Sequence, residues 1–370
     1  MDNAFTKSIG ISAIATYEPT WVLGNEWFEG TIPRKFVQHT GTQSRPISWH
    51  DEVTMGIRAV DNLQRDTKCD LRDCAAMIFA SPSFVPLNVA RKLLDPQRAR
   101  RERLMRAAHA LGSQLNIPRC PVHALNWFCC GYAKALAVVR RHIVPMLGLS
   151  RNQFVLVVTA SRISRITDYG CPQTGPLFGD LATATLLSRL DSPKYPVHFK
   201  LLYACAEKQP AAGIFFDFAV RENVLLPSLN GGKTRMSERL VFSLDGMGIA
   251  DAAPRAMSNA VTKALQARGL RPEDVRFVVP HQAGTAIVRL TTMKLEQLGI
   301  RGEVVNDLTS QVGNVSSSSI PYALKQTWKR LEGTIACPTA AVGAPGKAEV
   351  SQGCILLQTT PIHRPAAIAS

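Results

Sequence analysis

Two adjacent cysteines have the sequence setting of a nucleophile. Cys129 and Cys130 lie between an apolar, β-favouring stretch that begins at Cys120 and an Ala-rich helical pattern that begins at Gly131. A thiol at the start of a helix lies beside free backbone N–H groups and the positive end of the helix dipole, and both favour the thiolate. Buried cysteines in such strand-helix units are also commonly inert core residues. Position alone therefore leaves both interpretations open.

Two polar residues later in the chain follow a predicted strand and a tight turn. His281 comes directly after the apolar strand predicted at 275–280, and the carboxyl ends of parallel strands are where α/β proteins bind ligands. A structural hydrogen bond is the alternative role. Asn314 follows a glycine and precedes four serines and a helix predicted to open at Pro321. Either the serines cap that helix, or the turn brings Asn314 close to a ligand.

The elements that must position these residues alternate between strands and helices. Apolar runs at 9–17, 75–80, 153–160 and 182–187 predict strands, with helical periodicity at 52–63. A second series of strand-helix units of similar size follows the turn-rich segment at 191–196. This alternation predicts an α/β fold with largely buried sheets. We expect one half at 1–192, carrying Cys129, and another at 193–370, carrying the histidine and the asparagine.

Composition limits the classes of protein. The 370 residues are 46% hydrophobic, enough for a large core, and no apolar run reaches the ~20 residues that cross a bilayer. The N-terminus shows no secretory signal, so a cytoplasmic protein without membrane attachment is expected. No two of the nine scattered cysteines have C-x-x-C spacing, and no histidine lies at ligand distance from a cysteine pair. Structural zinc, other metals and a disulfide framework are therefore not expected.

The net charge of +15 predicts an anionic partner. No helix-turn-helix, zinc-finger or RNA-binding signature accompanies this charge, so nucleic acid is not expected. A predicted helix at 91–112 concentrates the basic side chains Arg91, Arg98, Arg100, Arg101, Arg103 and Arg106. This helix presents either a solvated charged face or a docking surface for an acidic protein.

Taken together and in order, these motifs resemble the β-ketoacyl-acyl-carrier-protein synthase III group of the thiolase superfamily. The resemblance is carried by Thr40-Gly41, Cys129-Cys130-Gly131-Tyr132, Phe178-Gly179-Asp180, Pro280-His281-Gln282-Ala283 and the segment from Gly313 to Pro321. It implies a thiolase-like duplicated five-layer α-β-α-β-α fold, a homodimer and no bound cofactor. It also implies that Cys129, His281 and Asn314 are catalytic and that Cys130 is a spacer.

The resemblance assigns each residue a chemical role. Cys129 would attack an acyl thioester and become an acyl-enzyme. His281 and Asn314 would donate hydrogen bonds to one carbonyl oxygen and stabilise an enolate, each donor contributing roughly 3 kcal/mol. Backbone N–H groups would hold the oxyanion during acyl transfer. Gly353, Trp127 and Phe178 are predicted to form the oxyanion hole and pocket.

The sequence also departs from the group. Lys35 and His39 stand where a Trp and an Arg grip the adenine end of coenzyme A, and Ala286 replaces another Arg. An acidic acyl carrier protein is therefore the expected acyl donor, with coenzyme A thioesters as the alternative. The long basic segment and the atypical loop at 343–346 suggest altered chain specificity.

These features predict a Claisen condensation between a Cys-bound acyl group and a malonyl- or β-ketoacyl-thioester, in polyketide or fatty-acid-derived secondary metabolism. One alternative is an acyltransferase that passes the acyl group to an alcohol or amine. A non-catalytic ketosynthase partner is a weaker alternative, because all three catalytic positions are retained.

Overall fold

The computed structural model describes residues 8–83, 96–117, 120–211, 214, 216–244, 246–306 and 308–363. Their strands are β1 (Ile9–Tyr17), β2 (Val22–Gly24), β3 (Ser44–Pro46), β4 (Cys74–Ala80), β5 (Val122–Leu125), β6 (Phe154–Arg162), β7 (Asp180–Arg189), β8 (Phe199–Pro210), β9 (Phe216–Pro227), β10 (Lys233–Leu244), β11 (Val275–Val278), β12 (Glu303–Val304), β13 (Thr334–Val342) and β14 (Glu349–Thr359). Their α-helices are α1 (Arg34–Thr40), α2 (Glu52–Thr67), α3 (Pro96–Gln114), α4 (Gly131–Val138), α5 (Val144–Leu147), α6 (Gly246–Gln266), α7 (Thr285–Gln297), α8 (Thr309–Val312) and α9 (Ser319–Gln326).

Ten strands form one mixed sheet whose two halves repeat the same arrangement. Outward from the centre, the first half runs β1, β7, β6, β4, β5 and the second runs β8, β14, β13, β11, β12. In each half the first two pairings are antiparallel and the next two are parallel. The α/β class is thus confirmed. The predicted boundary at residue 192 falls between β7 and β8 and stays a prediction.

The two halves meet along a short central pairing between β1 and β8. Gly10 pairs with Lys200, and Ile11 pairs with Phe199. A Cβ atom on Gly10 would lie 2.3 Å from the carbonyl oxygen of Phe199, so the strands can approach only because this residue is glycine.

Helix α4 runs through the core and begins directly after the two cysteines. It packs on β8, β14, β6 and β4. Its many small residues let it be buried on nearly every side, which is typical of a helix enclosed by sheets. A Cβ atom on its first residue, Gly131, would lie 3.0 Å from the Cβ atom of Ser317. The start of the helix is thereby held against the segment that carries Asn314.

The strand predicted at 9–17 coincides with β1, and the helix predicted at 52–63 is the first part of α2. Two features escaped sequence analysis. Strand β13 was missed because it contains Pro338, and proline is rare in central strands. Pro338 is tolerated because it lies beyond the end of the neighbouring β11. The hairpin of β9 and β10 was also missed, although Asn230-Gly231 at its turn is a typical hairpin signal.

Among the residues that the model describes, no helix combines the length and apolar character that a membrane span needs. The six hydrophobic clusters of these residues include two large ones, on the two faces of the ten-stranded sheet.

A buried carboxyl at the start of β7 predicts a pH-dependent stability. Asp180 accepts hydrogen bonds from the backbone N–H groups of Ser48 and Ser164 and from the Ser164 hydroxyl, at 2.6–3.0 Å. Burial nevertheless raises the pKa of Asp180 from 3.8 to about 6. Because the pKa is higher in the folded state, stability from this group is fully present below pH 4 and is lost as the pH rises through 6.

We therefore compare the free energy of unfolding of the wild type with that of Asp180→Asn. The difference, wild type minus variant, should increase by roughly 1–3 kcal/mol when the pH is lowered from 7 to 4. Chemical denaturation of both proteins at each pH measures this difference. A difference that stays constant across the interval would contradict the raised pKa.

Candidate active site

Cys129 lies in a strained 3-10 turn between β5 and α4. The preceding residue, Phe128, has φ +45°, a conformation that is costly for a bulky side chain and is often found at functional sites. The Cys129 Sγ lies 3.6 Å from the Ser316 Oγ. The Thr339 hydroxyl donates a 3.0 Å hydrogen bond to the Cys129 carbonyl oxygen and fixes the turn against β13.

Cys129 is a half-buried residue whose sulfur is its desolvated part. Burial raises its pKa to about 11. A helix N-terminus stabilises an anion by about 2 kcal/mol at most, so the dipole does not outweigh this desolvation. Desolvation of the thiol therefore opposes the preference for a thiolate that the helix N-terminus gives. Cys130 is fully buried beside Thr339, and its pKa is raised further by desolvation, which fits a core spacer.

His281 is held in the loop that follows β11. Its backbone N–H donates a 2.8 Å hydrogen bond to the carbonyl oxygen of Pro338 in β13. The next residue, Gln282, donates from its backbone N–H to the Ser319 hydroxyl and from its side chain to the carbonyl oxygens of Pro280 and Val305. Sheet and helix together fix this loop.

The His281 imidazole is uncharged. The residue is 2% exposed, and burial lowers its pKa to about 3. Its Nδ1 has no hydrogen-bond partner among the described residues. A neutral imidazole has one nitrogen that accepts a proton and one that donates a hydrogen bond, so His281 can do either for a bound substrate.

Asn314 has its amide orientation set by its own turn. Its Oδ1 accepts a 2.9 Å hydrogen bond from the Ser316 N–H, which leaves the NH₂ group to donate. Its backbone N–H donates to the Leu177 carbonyl oxygen at 2.8 Å. The preceding Gly313 has φ +64°, and a Cβ atom there would lie 2.6 Å from that same oxygen. Glycine is required at this position.

The serines after Asn314 form a hydroxyl network that joins the two halves of the molecule. Ser317 lies 3.0 Å from the Ser161 hydroxyl, and Ser318 lies 2.8 Å from the Thr159 hydroxyl. The Ser318 hydroxyl also donates to the Leu181 carbonyl oxygen at 2.9 Å. The alternative in which the serines cap the following helix is wrong, because no side chain caps α9.

These three elements converge on one narrow cavity of about 80 Å³. Cys129, His281 and Asn314 all line it, and Phe178 lies in its wall. The rest of the lining is mostly apolar and comes largely from β10, α6 and the end of β13. The site therefore combines one thiol and two polar side chains with a hydrophobic enclosure, an arrangement suited to an acyl group.

Two family models match the chain. "3-Oxoacyl-[acyl-carrier-protein (ACP)] synthase III" matches residues 124–201, and the model of its C-terminal region matches residues 265–344. The first segment contains Cys129, and the second contains His281 and Asn314. The chain is a synthase III-like ketosynthase.

Full-length relatives agree with the family models. The β-ketoacyl-[acyl-carrier-protein] synthase III of Deinococcus deserti is 28% identical over 88% of this chain and 84% of its own length. The Aquifex aeolicus synthase III is 27% identical over 88% of this chain and 90% of its own length.

Solved structures show the same fold. The crystal structure of the Aquifex aeolicus synthase III superposes with a TM-score of 0.69, at 21% identity, over 95% of this chain and 99% of that one. The priming β-ketosynthase of a polyketide pathway also has a TM-score of 0.69, at 20% identity, over 95% of this chain and 97% of that one. The thiolase-like duplicated fold is confirmed.

Two of the predicted pocket residues lie elsewhere in this synthase III-like enzyme. Gly353 is inside β14, opposite Thr339, and does not line the catalytic cavity. A Cβ atom on Gly353 would lie 2.6 Å from the Cys205 carbonyl oxygen, so sheet packing requires the glycine. Trp127 lines a neighbouring cavity instead. The prediction that Gly353 and Trp127 form the catalytic pocket is wrong, because Gly353 is enclosed within the sheet and Trp127 lines the neighbouring cavity.

The basic helix divides into two kinds of arginine. Arg98, Arg101 and Arg106 are exposed, and Arg98 and Arg106 both pair with Glu102. Arg103 is half-buried. Arg100 is only 8% exposed, so its prediction as a surface contact is wrong: its position on α3 turns it inward.

Some residues singled out by the sequence have no described side-chain environment. Arg91 lies outside the described residues, as do the side chains of Lys35 and His39 in α1. Ala286 is exposed near the start of α7. Within the described ranges, no group of three or more His, Cys, Asp or Glu side chains could hold a metal.

Sequence reasoning missed several residues that shape the site. Phe128 and Ser316 both have positive φ, which no sequence pattern signals for a non-glycine residue. Phe242 and Leu244 line the cavity from the unpredicted hairpin, which its Asn-Gly turn could have revealed.

The raised pKa predicts slow alkylation of the resting enzyme. With a pKa of about 11, only about one Cys129 thiol in ten thousand is ionised at pH 7. We expect the iodoacetamide rate at Cys129 to rise about tenfold per pH unit between pH 7 and 10. Mass spectrometry of the Cys129 peptide measures the rate, with Cys129→Ser as the blank. A rate that levels off near pH 8 would contradict this pKa.

Proposed function

We propose that this synthase III-like enzyme joins an acyl group carried on Cys129 to a malonyl- or β-ketoacyl-thioester by Claisen condensation. The observation that carries the proposal is the convergence of Cys129, His281 and Asn314, from three separate segments, on one buried apolar cavity. Each of these residue types has a distinct part in that reaction.

The first half-reaction is acyl transfer. The Cys129 sulfur attacks the thioester carbonyl, a new C–S bond forms, and the bond to the carrier thiol breaks. The thiol proton passes through the neutral His281 imidazole to the departing thiol. Backbone N–H groups at the start of α4 stabilise the tetrahedral oxyanion. Because the thiol is protonated in the empty site, ionisation accompanies substrate binding.

The second half-reaction needs a stabilised enolate. A malonyl thioester reaches it by releasing CO₂, and a β-ketoacyl thioester reaches it when the neutral His281 imidazole accepts its α-proton. The His281 imidazole and the Asn314 NH₂ group are both free to donate to the enolate oxygen. The enolate carbon then attacks the acyl carbonyl, and Cys129 departs as a thiolate that regains a proton.

Condensation explains the site better than the alternatives. An acyltransferase to an alcohol or amine forms no enolate, so it has no use for the Asn314 amide held beside a neutral histidine. A non-catalytic partner has no use for a strained turn that presents a thiol. The relatives from Deinococcus deserti and Aquifex aeolicus are named β-ketoacyl-[acyl-carrier-protein] synthases, which supports the same choice.

Two partners are proposed, one from the net charge of the chain and one from an edge strand of the sheet. An acidic acyl carrier protein fits the +15 chain and the exposed Arg98, Arg101 and Arg106. Strand β5 ends the ten-stranded sheet, and an edge strand of this kind supports the proposed homodimer. The proposal also includes the classification as a condensing enzyme that transfers acyl groups, in the cytoplasm and in secondary metabolism.

Acylation of Cys129 is the first test. Incubation with acyl carrier protein thioesters of several chain lengths should add the acyl mass to the Cys129 peptide. Cys130→Ser should keep this label, and Cys129→Ser should lose it. Label on Cys130 alone, or none from any chain length, would rule the mechanism out.

The role of Asn314 is the second test. We expect Asn314→Ala to lower the rate of product formation from acyl-enzyme and malonyl thioester by 10²–10³-fold, while acylation of Cys129 changes little. Quenched-flow measurement of each half-reaction separates the two effects. An Asn314→Ala enzyme that condenses at the wild-type rate would remove Asn314 from the enolate site. Acyl transfer to an added alcohol without a C–C-joined product would favour the acyltransferase.

A further inference from the structure

A second, larger cavity lies on the other side of Phe128. Its volume is about 650 Å³, and it is bordered by α3, β5, the turn at 126–128 and the loop at 343–347. Four cationic side chains line it: Arg100, Arg101, Lys208 and Lys347. Its described lining contains no Asp or Glu. A cavity with this charge attracts and retains an anion.

Arg100 is the buried cation of this cavity. Its guanidinium carbon lies 4.8 Å from the centre of the Phe128 ring and 5.2 Å from that of Phe218. The residue is 8% exposed, and its Nε and Nη2 atoms have no hydrogen-bond partner among the described residues. Burial lowers its pKa only to about 10, so the guanidinium stays charged at neutral pH. A buried charge without a hydrogen-bonded counter-charge is costly unless a ligand supplies one.

Asn126 adds a second unsatisfied group to the same wall. Both its side-chain nitrogen and its side-chain oxygen are buried without a partner among the described residues. Arg100 and Asn126 line the same cavity, and guanidinium N–H groups together with an amide NH₂ can donate to the two oxygens of a carboxylate. Two independently unsatisfied side chains thus point to the same kind of ligand.

Phe128 is common to the two cavities. It lines both the catalytic cavity and the basic cavity, and it directly precedes Cys129 in the chain. An acyl group attached to Cys129 starts in the apolar cavity of about 80 Å³, whose wall at Phe128 separates it from Arg100. A chain that passes the Phe128 ring therefore ends beside the free guanidinium.

We propose that Arg100 and Asn126 bind the terminal carboxylate of the acyl group on Cys129, so that the enzyme accepts monothioesters of dicarboxylic acids. This inference rests on the proposed function, because it assigns the acyl group of that same reaction. The bound carboxylate is one that the reaction retains. An arginine on the carboxylate that leaves as CO₂ would stabilise the ground state and slow its loss.

The test compares matched acyl groups on the purified full-length protein. Hexanoyl and adipoyl N-acetylcysteamine thioesters have the same chain length and differ by a terminal carboxylate. We expect the wild type to acylate Cys129 at least tenfold faster with the adipoyl group, as measured by intact-protein mass spectrometry at subsaturating thioester. A series from succinyl to suberyl should show an optimum length, because Arg100 is fixed.

Variants assign the preference to the named residues. Arg100→Met keeps side-chain volume and should lose the preference for adipoyl while it retains hexanoyl transfer. Arg100→Lys should retain part of the preference, and Asn126→Ala should weaken it. Arg271→Met, which removes an exposed charge at a residue that lines neither cavity, should behave as the wild type.

The outcomes separate this inference from the proposed function. If neither thioester labels Cys129, the proposed function fails. If hexanoyl labels the wild type as fast as adipoyl, Arg100 does not bind a substrate carboxylate. If Arg100→Met leaves the preference intact but changes the dimer measured by sedimentation, an acidic side chain of a second copy is the counter-charge, and the inference is overturned. Should Arg100→Met not fold, Asn126→Ala and the chain-length series decide.

Discussion

The structure depends on the contact between the start of α4 and the serine turn after Asn314. Cys129 comes from the first half of the chain, and Asn314 comes from the second. Gly131 lets the two segments approach, and hydroxyls from β6 bond to Ser317 and Ser318. Buried hydroxyl groups paired in this way fix a unique register, because each would be costly if left without a partner. The two halves must therefore be packed before the reactive groups can meet.

Burial keeps this site electrically neutral until substrate enters. The same apolar enclosure raises the pKa of Cys129 and lowers that of His281, so both groups are uncharged at neutral pH. Charge then develops only during reaction, where fixed N–H and NH₂ donors stabilise it without reorganisation. The free thiol is correspondingly protected from alkylation and oxidation.

The neighbouring basic cavity, in contrast, contains a buried side chain that stays charged. Arg100 retains its charge while buried against two aromatic rings, with no carboxylate near it in the described lining. Arg98 and Arg106 of the same helix are exposed to solvent, and both pair with Glu102. Neighbouring positions of one helix thus carry solvated cations, which influence association, and a desolvated cation, which can select a ligand.

The sequence by itself predicted the α/β fold class and singled out Cys129, His281 and Asn314, which the structure brings to one cavity. Apolar periodicity predicted most strands and helices. The motifs around Cys129, His281 and Asn314 could be recognised because each is a short contiguous segment of the chain. Only the tertiary structure decided which way each side chain faces: Trp127 away from the nucleophile, Gly353 into the sheet, and Arg100 into a cavity. Those orientations, and the pKa of Cys129, depend on packing between segments far apart in sequence, which no local pattern encodes.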